Sequence, residues 1–168
     1  MRASALVTLA LLSATPLRAQ APQPGCDGSD YAAFDFWLGD WDVTTPDGKS
    51  AGRNVISREE DGCLVVERWR SVNGGTGQSY NYFDPATGAW RQVWVSAGFT
   101  IDYSGGLNDD GEMVLQGKIS YRNGAQAPFR GTWTAMGPNR VRQHFEQFNA
   151  EKGEWTPLFT GLYDRRHE

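Results

Sequence analysis

Histidine, lysine and cysteine are scarce in this chain, and each scarcity removes a class of chemistry. Only two histidines occur in the 168 residues. One of them, His167, is penultimate, so with His144 alone no zinc set and no Ser/His/Asp order can be assembled. Lysine is represented by Lys49, Lys118 and Lys152 only. Sixteen basic residues face 20 acidic ones, with no Lys/Arg block or basic stripe. That balance argues against a nucleic-acid partner. There is no phosphate-binding glycine loop. Cysteine is limited to Cys26 and Cys63. They have neither Cys-x-x-Cys spacing nor neighbouring ligands that would favour redox or metal chemistry, so one structural disulfide is the expected pairing. Closing that loop stabilises by about 3 to 4.5 kcal/mol in the chain-entropy view.

Long apolar runs are also missing. The longest, Leu6 to Leu12, is too short to cross a bilayer, and no cysteine follows it to carry a lipid, so no stable membrane anchor is expected. Arg2 before this run and Leu17-Arg18-Ala19 after it have the form of a cleavable secretory signal peptide over residues 1–19. A cut after Ala21 would leave Pro22 just past the scissile bond, so Gln20 is the expected mature start, and the expected location is periplasmic or secreted. Removing Arg2 and Arg18 makes the mature chain two charges more negative than the −4 of the whole sequence. Nothing in the sequence sets an oligomeric state.

After Leu38 no segment has a convincing helical period. Instead, turn signals recur at near-constant intervals: Pro46-Asp47-Gly48, Asp61-Gly62, Asn73-Gly74-Gly75, Asp84 to Gly88, Gly98, Gly105 to Gly111, Asn123-Gly124, Gly137-Pro138-Asn139 and Glu151-Lys152-Gly153. Nine breaks imply ten strands, and the segments between them are rich in Val, Ile, Thr, Tyr, Phe and Trp. An antiparallel meander of this kind removes its exposed edges by closing. The expected fold is therefore all-β: a closed barrel of about ten strands forming a single domain over residues 29–168, preceded by an extended tether over 20–28. Ser29 or Asp30 can cap a short helix over Tyr31 to Leu38 that Gly39 ends, which makes it a plug. The alternation of Asp40, Trp41, Asp42 and Val43 starts the first strand, with Trp41 and Val43 pointing inward.

Arginines indicate which face of each strand meets water. On that basis Val65, Glu67 and Trp69 face in, as do Trp90, Gln92, Trp94 and Ser96, and Val141, Gln143 and Phe145. Phe99, Ile101 and Tyr103 share a face, as do Met113, Leu115, Gly117, Ile119 and Tyr121, and Phe129, Gly131 and Trp133. An aromatic interior with a few isolated polar groups is the makeup of a small-molecule pocket, and ten strands enclose more space than side chains alone fill. The candidate ligand-binding residues are Trp41, Trp69, Tyr80, Tyr82, Gln92, Trp94, Tyr103, Trp133, Gln143 and Phe145, although each tryptophan is also a normal core residue. Glu67 has two readings. A carboxyl among aromatics is costly to ionise and becomes a candidate acid or base, whereas a carboxyl satisfied by Gln92, Gln143 or a tyrosine is structural. His144 lies on the arginine-bearing face, which suits a solvated role. Asp109-Asp110-Gly111-Glu112 lacks the alternating spacing of a calcium loop and reads as a hairpin tip.

Phe34 to Trp41 (FDFWLGDW), Cys63 with Glu67-Arg68-Trp69, Trp90 to Val95, Val141-Arg142-Gln143 and the closing Leu162-Tyr163 together resemble a DUF1579-like family of exported, functionally uncharacterised bacterial proteins with an FDFWxGxW opening. The resemblance covers nearly all of residues 26–165. The Gly-x-Trp opening is also similar to that of calycins, the lipocalin and fatty-acid-binding class, and to haem-binding barrels of the nitrobindin type. Such kinship implies a ligand in the barrel. The missing inward histidine departs from the haem pattern, so no cofactor is expected. The expected partner is a small apolar or aromatic molecule held in the barrel cavity. The alternative is a cavity enzyme (lyase, isomerase or cyclase) using Glu67 as general acid or base. An interaction module would need Trp37, Trp90 or Trp155 clustered on the outside.

Overall fold

The computed structural model describes residues 25–166. The expected signal peptide, and the tether before Gly25, lie outside the described residues. Gly25 to Gly28 carry no helix or strand. A helix α1 (Ser29–Ala32) and a 3-10 turn (Asp35–Trp37) come first. Ten strands follow: β1 (Gly39–Thr44), β2 (Ser50–Glu59), β3 (Leu64–Ser71), β4 (Thr76–Asp84), β5 (Ala89–Ser96), β6 (Phe99–Leu107), β7 (Met113–Tyr121), β8 (Gln126–Ala135), β9 (Arg140–Asn149) and β10 (Glu154–Arg165). Every neighbouring pair is antiparallel, and β1 pairs with β10 through Trp41–Arg165 to Thr44–Leu162, which closes the barrel. Closure pairs the backbone groups that an open meander would leave bare at its two edges.

The plug differs in detail from the expected single helix. Gly28, not Ser29 or Asp30, is the N-cap, with no side-chain capping bond; its carbonyl accepts from the amides of Tyr31 and Ala32. Phe34, at φ −105° and ψ 10°, separates the helix from the 3-10 turn. That break turns both Phe34 and Trp37 into the barrel, where they stack at 4.9 Å between ring centroids. Phe34 meets Trp90 and Trp133 edge-on at 5.6 and 5.2 Å. Four polar contacts pin the segment: Trp41 Nε1 donates to Trp37 O (3.0 Å), Trp90 Nε1 to Asp30 O (2.9 Å), Arg58 Nη2 to Tyr31 O (3.1 Å) and Arg165 Nη1 to Leu38 O (2.9 Å). The Cys26–Cys63 disulfide fastens the start of the plug to the residue before β3. Gly39 leaves the plug at φ +136°, and a Cβ there would run into the Arg165 guanidinium that caps this corner.

Tryptophan rings fit inside a barrel of this width because glycines face them. A Cβ at Gly77 would run into the ring of Trp94, and one at Gly131 would lie 2.9 Å from Trp133 and 3.0 Å from Phe145. The hairpin of Asn108 to Glu112 is a tip, as expected: Asn108 Oδ1 accepts from the amides of Asp110 (3.1 Å) and Glu112 (2.9 Å). Trp37 and Trp90 are buried, while Trp155 packs on Phe148 beneath Arg130, so the three do not form an external aromatic cluster.

Candidate functional site

The arginine rule places most strands correctly. On β3, β5, β8 and β9 the residues opposite the arginines, Val65, Glu67, Gln92, Phe129, Trp133, Val141 and Gln143, are buried, and on β6 and β7, which carry no arginine, Ile101 and Tyr103 and Met113, Leu115 and Ile119 are the buried members of their shared faces. It fails on β4, which has no arginine to mark its outer face. There Ser79 and Asn81 are fully buried, while Tyr80, expected inside, is 49% exposed. Tyr82 shares that outer face and lies in register with Arg91. The physical reason is a polar belt inside the barrel that makes the small polar residues of β4 its inward set. Tyr80 and Tyr82 therefore do not face the barrel cavity.

The belt is a continuous hydrogen-bonded chain across the interior. Glu67 on β3 accepts at Oε1 from Asn54 Nδ2 of β2 (2.7 Å) and at Oε2 from Ser79 Oγ of β4 (2.7 Å). On one side Asn54 Nδ2 also reaches the Tyr163 hydroxyl (3.2 Å), which donates to Gln143 Oε1 (2.5 Å). On the other side Asn81 Nδ2 donates to Ser79 Oγ (2.9 Å) and to Val65 O (2.9 Å). Asn81 Oδ1 accepts from Gln92 Nε2, and Gln92 Oε1 accepts from the Tyr103 hydroxyl. Seven strands thus contribute to one network: β2, β3, β4 and β5 with β6 at one end, and β9 and β10 at the other bring the phenols and amides to the same carboxyl. Of its members, Asn54, Ser79, Asn81 and Tyr163 were not singled out as site residues from sequence, because polar residues in strands read as solvent-facing. The signal for Asn54 was present: Arg53 beside it points out, which turns Asn54 in.

Burial dominates the titration of Glu67. Loss of hydration raises its pKa from 4.5 to about 7, and the bonds from Ser79 and Asn54, which favour the carboxylate, offset only part of the rise. Both phenols are pushed well above their ordinary value, first by burial and then by the negative charge of Glu67.

Above this belt lies a cavity of about 310 Å³, at the small end of ligand pockets, which run from roughly 300 to 1,000 Å³. Its polar members are Glu67, Gln92, Gln143, Tyr103 and Tyr163; the remaining wall is apolar and aromatic, including Trp69, Trp94, Phe129 and Phe145. Among the described residues no arginine, lysine or histidine lines it. Phe99, Ile101, Ile119, Tyr121, Leu158 and Phe159 complete the wall, and the 51% exposure of Leu158 marks the rim. The β9–β10 register shifts between Pro157 and Phe159, an irregularity that bends β10 and lets consecutive residues Leu158 and Phe159 both reach the cavity. A bulge leaves no alternation to read, so neither residue stood out in the sequence.

Seven sequence-derived candidates therefore meet at this cavity: Glu67, Trp69, Gln92, Trp94, Tyr103, Gln143 and Phe145. Trp41 and Trp133 do not. Trp41 is fully buried under the plug, with the Arg165 guanidinium 4.2 Å over its ring, and Trp133 is fully buried against Phe34 and Trp37. Both are core at the plugged end. His144 faces away from the cavity between Gln143 and Phe145, and its Nδ1 lies 2.7 Å from Thr160 Oγ1. Burial, then neighbouring Arg142, hold its pKa below the ordinary value.

The disulfide is a bond of oxidising, extracytoplasmic compartments. No family model and no curated protein matches the chain.

Proposed function

We propose that this chain is an exported small-molecule-binding protein that holds an apolar or aromatic ligand in the open half of its barrel. On this reading residues 1–19 are a cleaved signal peptide, the mature protein works in the periplasm or is secreted, and the kinship is with the DUF1579-like, calycin-type barrels. The observation that carries the proposal is the cavity itself: one end of the barrel is sealed by an aromatic plug, while the other keeps about 310 Å³ free between aromatic walls. A barrel needing only stability would fill that space, since an apolar void costs dispersion contacts.

The cavity has both elements of small-molecule recognition, apolar walls for affinity and a few fixed polar groups at the floor for orientation. Native mass spectrometry of protein purified from its own host should show a retained small molecule, released on denaturation. Trp69 and Trp94 at the wall should report rebinding by fluorescence. Protein free of any retained mass, whose tryptophan emission is unchanged by a panel of bicyclic aromatics, would refute the reading.

A further inference from the structure

We infer that Glu67 is a general base toward a carbon acid seated in this cavity, and that the ligand class is a compact aromatic or alicyclic carbonyl compound with an acidic C–H next to the carbonyl. The inference rests on the cavity admitting such a molecule, and it adds a reaction to the binding.

A carboxyl at the floor of a solely structural cavity needs an explanation, because burying an ionisable group among apolar walls carries a desolvation cost that neutral side chains avoid. No cation repays that cost: no basic residue lines the chamber, and Glu67 has no salt bridge among the described residues. Its charged form is met only by the neutral donors Asn54 Nδ2 and Ser79 Oγ, one on each oxygen, each at 2.7 Å. Each carboxylate oxygen has a second lone pair, so both can still accept a proton. The two bonds hold the carboxylate plane fixed, and Glu67 keeps 3% of its surface open where it meets the cavity. A poorly solvated, rigidly held carboxylate beside apolar walls is a stronger base than the same group in water.

The step balances without a co-reactant. Glu67 takes the proton from the α-carbon, the C–H electron pair forms the carbon–carbon double bond of an enolate, and the carbonyl π pair moves onto oxygen. The phenols of Tyr103 and Tyr163 are the donors available to that oxygen from the same floor, each turning from its glutamine acceptor. Burial keeps both protonated. Returning the proton from Glu67 to the same carbon gives exchange, and returning it to a conjugated carbon gives an isomer. A carboxylate base with hydroxyl donors in an apolar chamber is a known solution for proton abstraction next to a carbonyl.

The titratable groups facing Glu67 are these two phenols, from β6 and β10; the β2, β4, β5 and β9 neighbours Asn54, Ser79, Gln92 and Gln143 do not titrate. Deprotonation of Glu67 should thus appear as a single inflection.

The test uses 2-tetralone, a bicyclic aromatic ketone, with the full mature protein in deuterated buffer. Binding is read by tryptophan quenching, and replacement of the C1 hydrogens by deuterium is read by proton NMR. Binding should be saturable, and protein-catalysed exchange should rise with pH around a midpoint of about 7. Glu67→Gln should lose about a hundredfold or more of that exchange while binding within about tenfold. The wild-type pH profile stands without any variant, should Glu67→Gln fail to fold. Binding without exchange, exchange with no inflection near neutrality, or exchange that survives in Glu67→Gln would overturn the base while leaving the binding protein intact. Absence of 2-tetralone binding would overturn the carbonyl ligand class and with it the base, while the retained-mass measurement decides the binding protein separately.

Discussion

Glu67→Gln should make the protein more resistant to unfolding at high pH and not at low pH. In the fold Glu67 holds its proton up to about pH 7, whereas unfolded it releases it near 4.5. Below 4.5 the group is protonated in both states and carries no pH-dependent penalty. As pH rises from 4.5 toward 7, the unfolded chain has already lost the proton that the fold keeps, so unfolding is progressively favoured. Above 7 the full cost of a buried carboxylate is in place. One pKa unit is worth about 1.36 kcal/mol, so the raised value corresponds to about 3 kcal/mol of lost stability.

Gln cannot ionise and does not incur this loss. It can accept through one oxygen only, so either Asn54 Nδ2 or Ser79 Oγ loses its acceptor, a cost of about 1 to 3 kcal/mol that does not vary with pH. The informative quantity is therefore the change with pH in the difference between variant and wild type. At about 2 to 4 °C per kcal/mol for a domain near this size, the Glu67→Gln melting temperature should gain roughly 10 °C on wild type between acid and mildly alkaline buffer. Scanning calorimetry with the disulfide intact reads it directly. Parallel melting-temperature curves for the two proteins would show that Glu67 ionises in the fold as easily as in water.

Reducing the Cys26–Cys63 bond should lower stability by about 3 to 4.5 kcal/mol in denaturant titrations without abolishing the barrel, because the plug keeps its aromatic and hydrogen-bonded contacts; thiol titration of denatured, unreduced protein should find no free thiol. Gly77→Ala should destabilise by about 1 to 3 kcal/mol, since the new Cβ meets the Trp94 ring and overpacking displaces a cavity wall, and it should weaken ligand retention as well. Trp69→Ala should weaken ligand binding with little change in circular dichroism. Tyr80→Ala, on the outer face, should change stability by less than about 0.5 kcal/mol and leave retention intact.

The sequence alone determined the number of strands, their order, the disulfide and the identity of the central carboxyl. Turns built from Gly, Asn, Asp and Pro act locally, so their spacing is legible without knowing what the strands pack against. The inward face was equally legible wherever an arginine occupied the alternate set, because a guanidinium is costly to strip of water; this placed Glu67, Gln92 and Gln143 correctly. Only the tertiary structure decided the rest. It turned Ser79 and Asn81 inward and Tyr80 outward, against their polarity, because Glu67 on the neighbouring strand supplies a charge that must be hydrogen-bonded. It moved Trp41 and Trp133 from the cavity to the plugged core, since distance from the plug along the barrel axis is not written in a period-2 pattern. Leu158 and Phe159 both reached the cavity through the shift in β10, which breaks the alternation, and Tyr163 met Asn54 beside Glu67 through closure of β10 on β1, a pairing across more than a hundred positions that no local signal encodes.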